Sequence, residues 1–107
     1  MKYILIGGSG FIGQHFKNIL REKIILNLDI DSGINNSEFR NCNILKKEEL
    51  NAVDLSEIKE VSVIHLAAVH FDFQKKYFET NIDGTKNILE FIDKWDCIKK
   101  YVFFSSV

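Results

Sequence analysis

The chain has 107 residues, a formal net charge of −1 and 46% hydrophobic residues, which leaves room for one domain, residues 1–107, with a modest core. Nearly balanced charges argue against binding nucleic acid or an acidic membrane through bulk charge. The apolar stretch before the first glycines is too short for a signal sequence or a membrane span, so we expect a cytoplasmic protein. Cys42 and Cys97 are far apart and in no metal or redox spacing, which predicts two reduced, partly buried thiols.

A short apolar strand at about residues 2–6 leads directly into a glycine-rich turn. Gly8, Gly10 and Gly13 fit the spacing G-x-G-x-x-G, and Gly7, Gly10 and Gly13 fit G-x-x-G-x-x-G. In either spacing one glycine makes the turn, a second lets the backbone approach a pyrophosphate, and a third lets the following helix pack on the strand. The start of that helix offers free N–H groups and the positive end of its dipole to an anion. The stretch therefore predicts a nucleotide-binding turn.

The helix after the turn is expected at about residues 11–22, and its apolar positions predict a buried face made of Ile12, Phe16, Ile19 and Leu20. The second strand, at residues 24–28, ends at Asp29, which is 19 residues after Gly10. An acid at this place can accept hydrogen bonds from both hydroxyls of an adenosine ribose and would repel a 2′-phosphate. Asp29 therefore favours NAD over NADP. The alternative is that Asp29 belongs only to the turn at residues 31–33.

The rest of the chain continues the alternation of strands and helices. A short third strand is expected near residues 39–42, a helix at 46–53, a fourth strand at 61–66, a long helix at 74–95 and a fifth strand at 100–104. This order predicts an α/β fold, a Rossmann-type doubly wound parallel sheet with strand order 3-2-1-4-5 that is truncated after strand five. The ligand crevice is then expected at the carboxyl ends of strands one and four.

Two further predictions concern side chains in the second half of the chain. His65 is expected to be a core residue with one ring nitrogen bonded to the backbone. The long helix is expected to bury the side chains that recur at helical spacing, namely Phe78, Ile82, Thr85, Leu89 and Ile92.

Five separate stretches, in order, resemble the extended short-chain dehydrogenase/reductases of the NAD-dependent epimerase/dehydratase family. They are residues 7–13 (GGSGFIG), Asp29, residues 63–68 (VIHLAA), residues 81–90 (NIDGTKNILE) and residues 101–106 (YVFFSS). The resemblance covers the whole chain. It implies an NAD-binding Rossmann domain. The complete protein would be an enzyme that acts on a nucleotide-sugar or a similar alcohol.

The resemblance also implies roles for the matched positions. The implied cofactor contacts are Gly7, Gly10, Phe11, Ile12, Gly13, Asp29, Asn43, Ile44, Leu66, Ala67, Ala68, Asn81 and Ser105. Among these, Phe11 and Ile12 would offer backbone N–H groups to the pyrophosphate, and Asn81 would brace the loop after strand four. Ser105 would face the cofactor, and Ser106 would be the catalytic serine that hydrogen-bonds the reacting hydroxyl or carbonyl of the substrate.

Three features depart from the family pattern. The family often has an acid before an aliphatic residue near the adenine, where this chain has Asn43-Ile44; the Asn43 carbonyl could still accept from the adenine amino group. Residues 68–81 form a shorter segment than usual and contain no proline, which leaves the substrate open. The family's general acid/base, a tyrosine with a lysine four residues later, does not occur in the sequence. The resemblance therefore implies the amino-terminal portion of a longer enzyme, unable to complete the reaction alone.

Other functions remain as alternatives. The chain could be a stand-alone, non-catalytic dinucleotide-binding module, whose fifth strand would be an open edge that associates with a second copy. Methyltransferases that use S-adenosylmethionine also combine a glycine-rich loop with an acid after strand two, but the glycine spacing and the helix around residues 81–85 argue against them. Walker-type phosphate binding is disfavoured because no Gly-Lys-Ser/Thr follows the glycines.

Overall fold

The computed structural model describes residues 1–8, 11–30, 38–66 and 75–104, with only the backbone described at residue 11 and at residues 75–81. The elements in chain order are β1 (Tyr3–Ile6), α1 (Phe11–Leu20), β2 (Ile24–Asp29), β3 (Phe39–Asn41), α2 (Lys47–Asn51), β4 (Val61–Leu66), α3 (Lys75–Lys94) and β5 (Ile98–Phe104). A turn of 3₁₀ helix, Arg21–Lys23, joins α1 to β2. These bounds lie close to the predicted ones, although α2 is shorter and β5 begins two residues earlier.

The five strands form one parallel sheet in the order β3-β2-β1-β4-β5, which confirms the predicted topology. β1 pairs with β2 on one side and with β4 on the other, so that Ile4 lies between Leu26 and Val63. All six residues of β4 are buried, as expected for a strand covered on both faces. From β1 to β3 each new strand is added on one side of β1, and β4 and β5 are added on the other side. This reversal of strand order places a crevice between the carboxyl ends of β1 and β4.

Two layers of apolar side chains cover the sheet. Alternate residues of β1 point to opposite faces, so Ile4 and Ile6 belong to one layer and Leu5 to the other. The larger layer includes residues of α2 and α3, namely Leu50, Ile88 and Phe91. The smaller layer joins the sheet to Phe16 and Leu20 of α1. The core therefore has α2 and α3 on one face and α1 on the other.

The buried face of α1 differs from the predicted one. Phe16 and Leu20 pack on the sheet as expected, but Ile12 is exposed and 75% of the Ile19 side chain is accessible. The helix makes its closest approach at Gly13, which is buried against the backbone of Gly8 in the turn after β1. A pattern of apolar residues alone could not show this, because the closest approach is made by a residue without a side chain.

The buried face of α3 was also predicted wrongly in part. Ile82 and Leu89 are exposed, and Thr85 and Ile92 are only half-buried. The side chain of Phe78 lies outside the described residues. The buried face consists of Gly84, Asn87, Ile88 and Phe91. Apolar residues therefore occur on both the exposed and the buried face of this helix. The buried face also contains a glycine and an asparagine, so hydrophobic periodicity alone does not identify it.

The remaining chemistry of the fold is simple. Cys42 is buried and Cys97 is half-buried, and both are free thiols, as predicted. Burial raises the pKa of the Cys42 thiol to about 11. In the parts of the chain that the structure describes, no helix is long and apolar enough to span a membrane. Within the same parts, no three His, Cys, Asp or Glu side chains are grouped so that they could hold a metal ion.

Candidate functional site

The turn after β1 depends on Gly7. Its φ of +78° is a backbone conformation that side chains disfavour, and its N–H donates to the Leu28 carbonyl at 2.8 Å. A Cβ at this position would lie 2.5 Å from the carbonyl oxygen of Leu66, the last residue of β4. Gly7 is therefore the turn-making glycine of the predicted motif, and it brings the turn against the end of the neighbouring strand.

Gly13 allows α1 to pack closely on the turn. A Cβ on Gly13 would overlap the backbone of Gly8, including its carbonyl oxygen. This is the close helix–strand packing that the third glycine of the motif was predicted to permit. Gly10, the middle glycine of both possible spacings, lies outside the described residues.

The other side of Gly8 is held by Asn27, a residue that the sequence analysis passed over. Asn27 lies in β2, and its side-chain oxygen Oδ1 accepts a hydrogen bond from the Gly8 N–H at 2.9 Å. The residue is only 1% exposed. A single amide in the apolar strand at residues 24–28 was the available signal, because a buried polar side chain usually has a bonding partner.

The amino end of α1 faces the crevice next to this turn. The helix begins at Phe11, and its first turn contains no acidic residue that would oppose an anion. Its first N–H groups have no partners inside the helix, and they carry the positive end of the helix dipole. The backbone N–H groups of Phe11 and Ile12, the predicted donors to the pyrophosphate, lie in this first turn.

Asp29 ends β2 at the same edge of the sheet. Its Oδ1 accepts the Ile30 N–H at 2.7 Å, and its carbonyl accepts the Cys42 N–H at 2.9 Å. The carboxylate is partly exposed. The bond to Ile30 is the kind of local contact that a turn-forming role requires, while the position at the carboxyl edge is the one that ribose binding requires.

Asn43 and Ile44 follow β3 in a tightly bonded loop. The Asn43 N–H donates to Glu49 Oε1 at 2.7 Å, and Asn43 Oδ1 accepts the Leu45 N–H at 3.0 Å. The Asn43 carbonyl, the expected adenine acceptor, accepts the Lys46 N–H at 2.9 Å. A carbonyl oxygen has two lone pairs and can accept a second hydrogen bond.

Residues of α3 also contact the loop that contains Asn43 and Ile44. The Asn87 side-chain amide donates to the Ile44 carbonyl at 2.8 Å. A Cβ on Gly84 would lie 2.6 Å from Cδ1 of Ile44, so the Ile44 side chain sits directly on the helix. Neither Asn87 nor Gly84 was predicted to act on this loop, because nothing in the sequence pairs positions so far apart along the chain.

His65 is buried, as predicted, but it bonds a side chain instead of the backbone. Its Nδ1 lies 2.8 Å from the hydroxyl of Tyr101. Burial lowers the pKa of His65 to about 4 and raises the pKa of Tyr101 to about 12. Both groups are therefore uncharged near neutral pH, which suits a pair that joins β4 to β5 inside the core.

The described site residues fall into two groups. Gly7, Gly13 and Leu66 meet at the ends of β1 and β4, while Asp29, Asn43 and Ile44 lie at the ends of β2 and β3. All of these strand ends face one edge because the sheet is parallel. The other predicted site residues, Gly10, Ala67, Ala68, Ser105 and Ser106, lie outside the described residues, and Phe11 and Asn81 are described by backbone alone.

A parallel sheet in this order, with a glycine turn after its first strand, defines a Rossmann-type α/β protein. Comparison with protein families carries the identification further. The profile of the NAD dependent epimerase/dehydratase family matches residues 3–107, and the chain belongs to this family. The expected resemblance is thereby confirmed.

Individual proteins agree with this assignment. The chain is 36% identical to a dTDP-D-glucose 4,6-dehydratase from Dictyostelium discoideum, in an alignment that covers 98% of this chain and 29% of that protein. It is 31% identical to a bifunctional UDP-glucose 4-epimerase and UDP-xylose 4-epimerase from Pisum sativum, with 98% of this chain and 36% of that protein covered. The chain thus spans about a third of the length of these relatives.

A solved structure supports the fold independently. The Y136A mutant of uronate dehydrogenase from Agrobacterium tumefaciens, complexed with NAD, superposes with a TM-score of 0.70 at 21% identity. The match covers 99% of this chain and 41% of that one. At this identity the comparison bears on the fold alone, and it agrees with the topology of the sheet.

Proposed function

We propose that this chain binds NAD and forms the cofactor-binding half of a nucleotide-sugar epimerase or dehydratase-like oxidoreductase. The observation that carries the proposal is the glycine turn, in which Gly7 has positive φ and Gly13 brings α1 against Gly8. Family membership and an NAD complex of a structural neighbour support the choice of cofactor. The substrates named for the relatives, dTDP-D-glucose and UDP-glucose, support a nucleotide-sugar.

The described residues fit a dinucleotide. Glycines occupy the two places where the turn contacts its neighbours: Gly7 at the end of β4 and Gly13 in α1. Because they have no side chains, the backbone segments lie close together and no side chain of these residues covers them. In the proposed complex the N–H groups of Phe11 and Ile12 bind the pyrophosphate, beside the turn formed by Gly7 and Gly10. Leu66 and the residues that follow it, Ala67 and Ala68, line the path of the dinucleotide.

The adenosine end of the cofactor belongs to β2 and β3 in this proposal. Asp29 accepts hydrogen bonds from the ribose hydroxyls, and its negative charge disfavours the extra phosphate of NADP. The remaining lone pair of the Asn43 carbonyl accepts from the adenine amino group, with Ile44 beside the ring. The bonds from Glu49 and Asn87 hold this loop in place before any ligand arrives.

NAD, when bound, would accept a hydride from a substrate carbon that bears a hydroxyl. For this chain we propose that Ser106 orients the reacting hydroxyl or carbonyl, that Ser105 faces the cofactor, and that Asn81 braces the loop after β4. The 107 residues contain no tyrosine followed four residues later by lysine, so proton transfer is not assigned to any group of this chain.

Asp29→Ala tests the proposal at its most discriminating residue. We expect the variant to bind NAD more weakly by about 1–3 kcal/mol, because the ribose hydroxyls lose a charged acceptor. The preference for NAD over NADP should narrow, since the repulsion of the 2′-phosphate disappears. Both affinities can be measured by isothermal titration calorimetry.

Asp54→Ala is the matched control for this experiment. Asp54 also accepts a backbone N–H, from Ser56 at 2.9 Å, but it lies in the connection that leads to the amino end of β4. Its loss removes a turn contact without touching the proposed site. If Asp29→Ala and Asp54→Ala bind NAD equally well, Asp29 serves only the turn, and the ribose role is wrong.

The second candidate is a stand-alone, non-catalytic dinucleotide-binding module. The observation that supports it is the glycine turn, which is suited to a dinucleotide whether or not a reaction follows. Sequencing the transcript past codon 107 separates the two candidates. A downstream tyrosine with a lysine four residues later supports the enzyme, and a stop codon directly after Val107 supports the module.

A further inference from the structure

Asn27 is an unusual residue for its position. It lies in β2 between the apolar residues Leu26 and Leu28, and it is almost fully buried. Burying an amide is costly unless it is hydrogen-bonded. The bond that Asn27 Oδ1 accepts from the Gly8 N–H reaches across 19 residues of sequence, from the second strand to the glycine turn.

This bond leaves little freedom to the peptide at Gly8. A Cβ on Gly8 would lie 2.5 Å from Asn27 Oδ1 and 2.9 Å from Cδ1 of Leu5, so the two side chains fill the space behind the turn. On its other side, the carbonyl of Gly8 lies against Gly13 of α1. Gly8 is thus bonded to β2 through its N–H, and its backbone lies in close contact with Gly13 of α1.

The geometry also shows that the Gly8 N–H has a different role from the N–H groups at the start of α1. The Gly8 N–H points into the protein and is used by Asn27, so it is not a donor for a ligand. Among the described residues that follow Gly8, the N–H groups at the start of α1 lack partners inside the helix, and their position depends on where α1 packs against Gly8. A displacement of Gly8 would move α1 relative to β1.

We propose that Asn27 is a positioning residue for pyrophosphate binding: by holding Gly8, it sets the place at which the amino end of α1 meets the ligand. This inference rests on the proposed function. It has a specific consequence, because the adenosine end of the cofactor is assigned to Asp29 and Asn43. Loss of the Asn27 bond should weaken ligands that carry a pyrophosphate and leave adenosine binding nearly unchanged.

Three variants of the full 107-residue chain provide the test. Asn27→Leu has a similar size but no acceptor, so the Gly8 N–H loses its partner. Asn27→Asp keeps an acceptor oxygen at the same place and is the conservative variant. Leu55→Ala is the stability control, because Leu55 is buried in the larger apolar layer, away from the glycine turn.

The first measurement uses the protein without ligand. We expect hydrogen exchange of the Gly8 amide, followed by NMR, to be at least about tenfold faster in Asn27→Leu than in the wild type, since about 1.4 kcal/mol of lost protection corresponds to that factor. The amide should stay protected in Asn27→Asp and in Leu55→Ala. Unchanged protection in Asn27→Leu would show that Asn27 does not hold the turn, and would overturn the proposal.

The second measurement compares NAD, ADP and adenosine by NMR titration. We expect Asn27→Leu to weaken NAD and ADP about tenfold and adenosine less than about twofold. Equal losses for ADP and adenosine, or losses that match those of Leu55→Ala, would mean that Asn27 is merely structural. If the wild type binds neither NAD nor ADP, the proposed function is wrong and the pyrophosphate role falls with it. If the wild type binds and Asn27→Leu binds equally well, only the role of Asn27 is refuted.

Discussion

Gly13 and Gly84 both lie inside helices, but they face different neighbours. A Cβ on Gly13 would overlap the backbone of Gly8. This overlap can be relieved only if α1 shifts away from the turn. A Cβ on Gly84 meets Cδ1 and Cγ1 of Ile44, the flexible part of a side chain. The two glycines therefore differ in what a methyl group would cost, although each would gain similar helix propensity.

We expect Gly13→Ala to lower the free energy of unfolding by about 1–3 kcal/mol, because overpacking against backbone exceeds the gain of roughly 1 kcal/mol in helix propensity. Gly84→Ala, the matched control, should cost clearly less, because the Ile44 side chain can rotate. Urea unfolding measures both. Equal stability of the two variants would contradict the close packing of α1 on the turn.

At the scale of single residues, the sequence predicted the positions that carry a recognisable motif. Gly7 and Gly13 were found because their spacing has a known geometric purpose, and Asp29 because it ends the second strand. Asn27 and Asn87 were missed, since each acts through one hydrogen bond to backbone far away in sequence. A sequence shows which residues can form such bonds but not which backbone groups come near them.

Among the elements, β4 and β5 are joined by the pair His65 and Tyr101. Burial lowers the pKa of His65 from 6.5 to about 4 in the folded chain. Below pH 6.5 the His65 side chain binds a proton in the unfolded chain, whereas in the folded chain it binds one only below about pH 4. Stability is therefore fully present above pH 6.5 and falls as the pH decreases through this window.

We expect this histidine to contribute a loss of roughly 3 kcal/mol in the free energy of unfolding between pH 6.5 and pH 4. Urea unfolding at a series of pH values measures the loss. His65→Gln is the control, because glutamine can still bond the Tyr101 hydroxyl but does not titrate. A variant with the same pH dependence as the wild type would show that His65 is not the responsible group.

α3 and the loop after β3 form a second connection between elements. Asn87→Ala leaves the Ile44 carbonyl without its donor, and we expect it to lower the free energy of unfolding by about 1–3 kcal/mol. Asn51→Ala is the control: Asn51 accepts from Lys94 Nζ at 3.0 Å in an exposed contact, whose loss should cost less than about 0.5 kcal/mol. Similar stability of the two variants in urea would contradict the proposed connection.

The order of the elements could be predicted more reliably than their faces. Alternation of apolar strands with helices allows few topologies once crossovers are right-handed, and the predicted order 3-2-1-4-5 is the observed one. The buried face of α3 could not be predicted in the same way. This face includes Gly84 and Asn87, which contact Ile44 in the loop after β3, and hydrophobic spacing does not indicate this contact.

For the whole molecule, β5 matters most because it forms one edge of the sheet. Val102, Phe103 and Phe104 are 41–43% exposed along this strand. An exposed, apolar edge favours pairing with another chain. We propose that the 107-residue chain self-associates through β5, because this strand lies at the edge of the sheet that the described residues form.

Val102→Lys tests this association. A lysine at the edge should weaken it about tenfold or more, because burying one unpaired ammonium in the contact costs more than about 1.4 kcal/mol. Ile19→Lys is the control, since Ile19 is more exposed but lies on α1, away from the edge. Sedimentation velocity measures both variants. Equal association of Val102→Lys and the wild type would place the contact elsewhere.

The central claim is that the 107-residue chain binds NAD at the glycine turn. Isothermal titration of the purified chain with NAD, and in parallel with NADP, tests it most directly, after cooperative urea unfolding has shown that the chain is folded. We expect saturable binding, with NAD bound more tightly than NADP. Absence of binding by a folded chain would contradict it.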